Sequence, residues 1–168
     1  MARGTPGKPA PQPTSMMVLP FSSAQHSTDR LSSRWSFAKR MNWLETVLPE
    51  LGVTNTRCIT ARAEEAVVTH REKFDYATSR AVARLNILLE LTAPYVRVGG
   101  AVLALKGAAA REELAEAKNA IKKLGLKLEE VREYPIDGAS HAVILLRKIS
   151  HTPACYPRRF AQIKKSPL

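Results

Sequence analysis

Thr78, Ser79 and Arg80 stand in a stretch, residues 74–82 (FDYATSRAV), where a strand gives way to a helix. In an open α/β sheet, strand C-termini and helix N-termini converge on the edge where ligands bind. An arginine at that place is either a ligand contact or a loop salt bridge. A second concentration of polar chemistry lies at the end of the chain. From Gly138 onward there is no acidic residue, whereas Arg147, Lys148, Arg158, Arg159, Lys164 and Lys165 are all basic. Tyr156 and Phe160 flank the arginine pair, and cations beside stacking rings suit RNA. The alternative is a tail that packs on the domain and carries charge for solubility.

Composition narrows the partners. At 168 residues the chain has room for one domain with a core of its own. An apolar fraction of 45% and a charged fraction of 24% are ordinary for a soluble globular protein. The charge balance is not ordinary: 26 Lys and Arg against 15 Asp and Glu give +11. Such an excess favours polyanions, nucleic acid above all. Cys58 and Cys155 lie far apart with no CxxC pattern, which argues against a disulfide scaffold or a zinc site and fits a reducing compartment. His26, His70, His141 and His151 have no metal-ligand spacing. No run approaches the roughly 20 apolar residues of a membrane span, and MMVLPF at 16–21 is too short for a signal peptide. These features predict a cytoplasmic protein without metal or membrane partner.

The elements that must position these residues follow from periodicity. Residues 1–35 are rich in Pro, Ser, Thr and Gly, a composition that predicts a disordered leader, with 16–21 able to pair as an edge strand. Phe37, Met41, Leu44, Val47, Leu48 and Leu51 recur at helical spacing before Gly52. Residues 56–60 read as a short strand and 61–65 as the loop or short helix after it. The spacing predicts a helix over 83–95, a strand covered on both faces at 101–105, and one helix over 108–124 with Leu114, Ala117, Ile121 and Leu124 inward. Glu112 and Glu113 suit its first turn. Strands at 127–134 and 141–149, joined by PIDGAS, form an antiparallel pair. This alternation makes an α/β fold with a mostly parallel sheet closed by a C-terminal hairpin.

Five segments in order then carry a family resemblance: KRMNWL (39–44), ARAEE (61–65), EKFDYATSRAVA (72–83), GGAVLALKG (99–107) and the terminal TPACYPRR…KKSPL. Together, over about residues 36–168, they resemble the ribosomal RNA small subunit methyltransferase G family, also called glucose-inhibited division protein B. The resemblance implies a Rossmann-like fold that transfers methyl from S-adenosylmethionine to N7 of a guanosine in 16S rRNA. Carried over position by position, it implies cofactor contacts at Ala63, Glu64 and Arg80. It also places Lys106, at the end of another strand, near phosphate or the target base, and Arg158, Arg159, Lys164 and Lys165 on rRNA. The bland readings are a helix N-cap for Glu64 and a surface ion pair for Arg80. Guanine N7 is already nucleophilic, so the implied chemistry needs alignment and exclusion of water rather than a strong base.

The chain departs from the family pattern at its start. Members carry a first strand ending in a loop of the type GSGAGFPG and a second ending in an acidic residue for the ribose. Here the only glycines before Gly52 are Gly4 and Gly7, and Trp35 stands at the acidic position. The sequence therefore reads as an N-terminally truncated member with the first two strands missing: leader 1–35, partial methyltransferase domain 36–150, basic tail 151–168. That reading predicts an open edge beside the 74–78 strand, weak cofactor binding and little turnover. Two functions follow: an rRNA guanine-N7 methyltransferase impaired by loss of the loop, or a non-catalytic basic RNA-binding remnant. An oligomer whose partner completes the sheet is a third form.

Overall fold

The computed structural model describes residues 16–18, 30–80 and 82–168, and it divides into two compact units. Most of the leader predicted over 1–35 lies outside the described residues. In the smaller unit, strand β1 (Met16–Val18) pairs in parallel with β2 (Thr56–Cys58), Met17 opposite Arg57. The edge strand read in MMVLPF is thus present over its first three residues. Between them runs helix α1 (Arg30–Glu50), which starts before Phe37. Met41 is buried and Leu44, Val47 and Leu48 are half-buried, as their spacing requires, but Leu51 is 70% exposed because the helix has ended before it reaches the apolar face. Gly52 is the stop: its N–H donates to the Pro49 carbonyl and that of Val53 to Leu48, closing a Schellman turn.

The larger unit holds the residues of interest. Helix α2 (Ala63–His70) leads into β3 (Phe74–Arg80); α3 (Leu85–Thr92) and a 3₁₀ turn (Ala93–Tyr95) lead into β4 (Val96–Lys106). Then come α4 (Ala110–Glu116), α5 (Lys118–Lys123), β5 (Leu126–Ile136), β6 (Ala139–Lys148) and α6 (Phe160–Lys165). The sheet order is β3-β4-β6-β5, with β3 and β4 parallel and the other two pairings antiparallel. Among the described residues β3 therefore has one neighbour. The helix expected over 108–124 is two, separated at Ala117, which caps the first and starts the second; Ala117 and Leu124 are nonetheless fully buried.

Packing explains the strand lengths. Val102 and Ala104 of β4 are fully buried against Leu85, Leu88, Leu89, Ala120 and Ile144, while Leu103 and Leu105 on the other face are only half-buried. Its apolar run is thus wholly covered on one face, not both. Between Val96 and Ala101 the β4 register against β3 slips, and the extra residues are absorbed at Gly99 (φ +86°) and Gly100. A Cβ on Gly100 would stand 2.3 Å from the Asp75 carbonyl, so only glycine lets the strands close there. β5 and β6 are joined by the two residues Asp137 and Gly138, both at positive φ (49° and 76°), the conformation whose twist suits a two-residue hairpin. Among the described residues no helix is long and apolar enough to cross a membrane.

At the opposite end of β4 and β6 a buried polar knot closes the unit. Lys148 is 1% exposed; its ammonium donates to the Ala93 carbonyl at 2.8 Å and to the Thr152 hydroxyl, and stands 3.4 Å from Glu72. Glu72 also takes the Thr152 N–H at 2.9 Å and the ring of His151. Burial pushes the Glu72 carboxyl up, but its hydrogen bonds from His151 and Thr152 and the Lys148 charge outweigh burial and hold it below its ordinary 4.5. A carboxylate with a lowered folded pKa contributes stability that is complete above its unfolded value and lost as pH falls through the folded one. Part of the stability should therefore be lost as pH falls below the ordinary carboxylate range, and Glu72→Gln should show a flatter acid limb. Parallel acid limbs for the two proteins would remove Glu72 from this role.

Candidate functional site

Arg80 is the last residue of β3 and pairs with Leu105, one residue before the end of β4. The two C-termini thus form one edge of the sheet. The chain leaves that edge through residues 82–84 and is clamped as it enters α3. Arg84 reaches Glu116 through Nε at 3.0 Å and Nη2 at 2.7 Å, and Glu112 through Nη2 at 2.9 Å. The Leu85 N–H donates to Glu113 Oε2 at 2.8 Å, and the same oxygen lies 2.7 Å from Lys106 Nζ. Lys106 also donates to the Ala83 carbonyl. The acidic first turn of α4 therefore does more than match its own dipole. It ties the start of α3 and the end of β4 into one rigid corner.

Lys106 does not face solvent from this corner. Its side chain is 8% exposed and its ammonium is satisfied by Glu113 and the Ala83 carbonyl, at the position where the resemblance implied phosphate or the target base. Arg80 behaves differently. It is exposed, and among the described residues no carboxylate faces it, whereas Arg84 and Lys106 at the same corner are both paired. The preceding Ser79 hydroxyl is buried with no hydrogen-bond partner among the described residues. An unmet buried hydroxyl costs about 1–3 kcal/mol.

Ala63 and Glu64 open α2, where the first N–H groups of a helix lack intrahelical acceptors. The Ala63 carbonyl accepts the hydroxyl of Tyr95, a buried residue just before β4. Burial, and then the charge of Glu64, push the Tyr95 phenol far above its ordinary value, so it remains a donor throughout the physiological range. Glu64 is 14% exposed and 3.9 Å from the Arg62 guanidinium. The structure thus joins Arg80 with Lys106 at one edge and Ala63–Glu64 with Tyr95 at another point of the same unit.

The four basic residues of the tail divide. Arg158 is held by Glu90 of α3: its N–H and Nε donate to Oε1 at 3.0 and 2.7 Å, and Nη2 to Oε2 at 2.6 Å. Glu90 is fully buried and the Arg158 side chain 18% exposed, so this arginine anchors the tail and the expectation of an RNA contact there gives way. Arg159, just before α6, and Lys164 and Lys165 in its last turn are exposed, while Ile163 of the same helix is fully buried. Tail packing and charge display, set against each other in the sequence, coexist. Tyr95, Glu113 and Glu90 were missed by sequence reasoning. Glu90 left a signal: a lone charge in the apolar helix LNILLELT must find a buried partner.

The family model for rRNA small subunit methyltransferase G matches residues 35–139. A relative from Fervidobacterium nodosum, named ribosomal RNA small subunit methyltransferase G, is 45% identical over 135 residues, covering 79% of this chain and 63% of its own length. The chain spans about three fifths of the length of the curated relatives it matches. Among solved structures, M. jannaschii TYW2 in complex with AdoMet is similar with a TM-score of 0.55 at 16% identity, over 82% of this chain and 59% of that one. Aeropyrum pernix fibrillarin with natively bound S-adenosyl-L-methionine gives 0.55 at 17% identity, over 79% and 55%. The fold is therefore the Rossmann-like α/β fold of S-adenosylmethionine-dependent methyltransferases.

The Glu90–Arg158 pair makes a sharp stability prediction. Removing one partner leaves a buried charge unmatched, which costs about 3–5 kcal/mol. Arg158→Ala should lower the stability measured by urea unfolding by that amount, whereas Arg159→Ala, an exposed neighbour, should stay within about 0.5 kcal/mol. Equal effects would show that the arginine pair acts as surface charge.

Proposed function

The chain belongs to the rRNA small subunit methyltransferase G family, and from that premise we propose that the protein transfers a methyl group from S-adenosylmethionine to N7 of a guanosine in 16S rRNA. The observation that carries the reading is Arg80, an exposed cation left without a carboxylate at the strand C-terminal edge, beside Arg84 and Lys106 that are both paired. Its guanidinium suits the cofactor's carboxylate, and the free N–H groups and Glu64 carboxylate at the start of α2 suit the polar edge of an adenine. The cofactor, when bound, supplies an electrophilic methyl on a sulfonium. The chain's own residues supply position. Arg80 orients, and the Lys106–Glu113 corner holds the strand end in place. Since the ring nitrogen attacked is already nucleophilic, no side chain need remove a proton from it.

Arg159, Lys164 and Lys165 are the residues we assign to the rRNA backbone, where each contact adds affinity and salt dependence. A ribosomal substrate and a strongly basic chain support a cytoplasmic protein, with ribosomal RNA or the small subunit as partner. The second reading, an RNA-binding chain without turnover, is favoured by that same exposed cationic helix.

Calorimetric titration with S-adenosylmethionine separates the readings. Saturable heat is expected, with Arg80→Ala binding about ten- to hundred-fold more weakly, the worth of a charge-assisted hydrogen bond. No heat from a folded protein that still binds RNA would leave the second reading standing. For RNA itself, replacing Lys164 and Lys165 with Gln should lower the slope of log affinity against log salt by about 0.7 for each single-strand phosphate no longer neutralised. An unchanged slope would move the RNA contacts elsewhere.

A further inference from the structure

We propose that Tyr134 and His141, at the tip of the β5–β6 hairpin, form a stacking platform for one unpaired RNA base. The proposal rests on the reading above only in taking RNA as the partner. The two residues lie directly opposite each other in the antiparallel ladder, so their side chains share one face of the sheet. Their ring centroids are 6.0 Å apart with planes inclined by 20°, an offset stack. Both are half-buried, and neither belongs to the core cluster beneath the sheet. The packing of the domain therefore does not account for this pair of rings.

Register locates the platform. Arg80 pairs with Leu105, Leu105 with Val143, and Val143 with Arg132, so these four form one row across the sheet, all on the same face. His141 is two residues beyond Val143 and Tyr134 two beyond Arg132, which places the rings on that face at the strand-end edge occupied by Arg80. Two strand spacings of about 4.8 Å and two residues of about 3.3 Å separate the Cα positions of Arg80 and His141. A nucleotide held at the Arg80 edge would thus have the rings within reach of its neighbour.

Glu133, Pro135 and Ser140 alternate with Tyr134 and His141 along the hairpin and so stand on its other face, where Glu133 is paired with Arg111 at 2.7 Å. The ring face thus does not carry Glu133, and a base laid on it is held by stacking, the way in which unpaired bases of single-stranded RNA are bound. The rigid two-residue turn at Asp137–Gly138 keeps the arrangement formed before RNA arrives.

The bland account is a cross-strand ring pair that only stabilises the hairpin, and the test must exclude it. Tyr134→Leu keeps an apolar cross-strand partner but removes the stacking face; Tyr134→Phe keeps the face and loses only the hydroxyl. Anisotropy titrations would use the full chain with a short fluorescein-labelled single-stranded RNA and its duplex form. Base stacking is worth about 1–3 kcal/mol per base, so Tyr134→Leu should weaken single-strand binding about five- to hundred-fold at unchanged salt slope. Tyr134→Phe should bind as the parent does, and duplex binding, where base faces are hidden, should not change. Single-strand affinity equal to the parent in Tyr134→Leu would overturn the platform, as would an equal loss on both RNA forms. Cofactor calorimetry on the same proteins keeps the two readings apart. Ring-dependent RNA binding without cofactor heat would sink methyl transfer and leave the platform, whereas cofactor heat with ring-independent RNA binding would do the reverse.

Discussion

Glu90 lies among the leucines of α3, fully removed from water, and a carboxylate there is tolerable only with its charge matched. Its match is Arg158, 68 residues later, which offers three N–H donors to the two oxygens. That requirement brings the C-terminal tail back onto the unit. Once there, Ile163 is buried and Leu168 and Tyr156 pack on the core. α3 itself is apolar on nearly every side and needs cover from more than one neighbour; α4, α5 and α6 all touch it. The pair thus commits a strongly basic segment to the fold while leaving its remaining cations outward.

The same division of labour runs through the molecule. A net charge of +11 reads as a uniform affinity for polyanions, yet the cations differ in burial and in pairing, and the extremes are informative. Lys106, Lys148 and Arg158 are nearly or wholly withdrawn from water, each beside a carboxylate. Arg80, Arg159, Lys164 and Lys165 are exposed. The physical distinction is desolvation: a buried cation must be matched within the fold, whereas an exposed one loses little by waiting for a ligand.

The candidate edge gains its rigidity from one of the withdrawn cations. Lys106 and Glu113 join the end of β4 to the starts of α3 and α4, so the strand end bearing Arg80 is held by groups that are themselves largely withdrawn from solvent. On the same sheet, Tyr134 and His141 of the hairpin stand on the face that Arg80 shares. A site assembled from two strand ends and a turn is one that sheet register, rather than loop flexibility, places in space.

Much of this was determined by the amino-acid sequence itself. Period-2 and period-3.6 patterns located the strands and helices, PIDGAS announced the hairpin, and five ordered segments identified the family, because these signals are local and each residue's neighbours in sequence suffice to produce them. Local signals also misled where partners are distant. The helix over 108–124 divides at Ala117, the β4 run is fully covered on one face only, and Leu51 lies past the end of its helix, since tertiary packing decides which part of a periodic stretch finds cover. The roles of the basic residues were decided by the tertiary structure alone. Lys106 and Arg158 look like Arg80 and Arg159 in sequence, and only the arrival of Glu113 and Glu90 from other elements separates them. A charge declares its sign in the sequence, but whether it is neutralised depends on what the fold brings within about 3 Å of it.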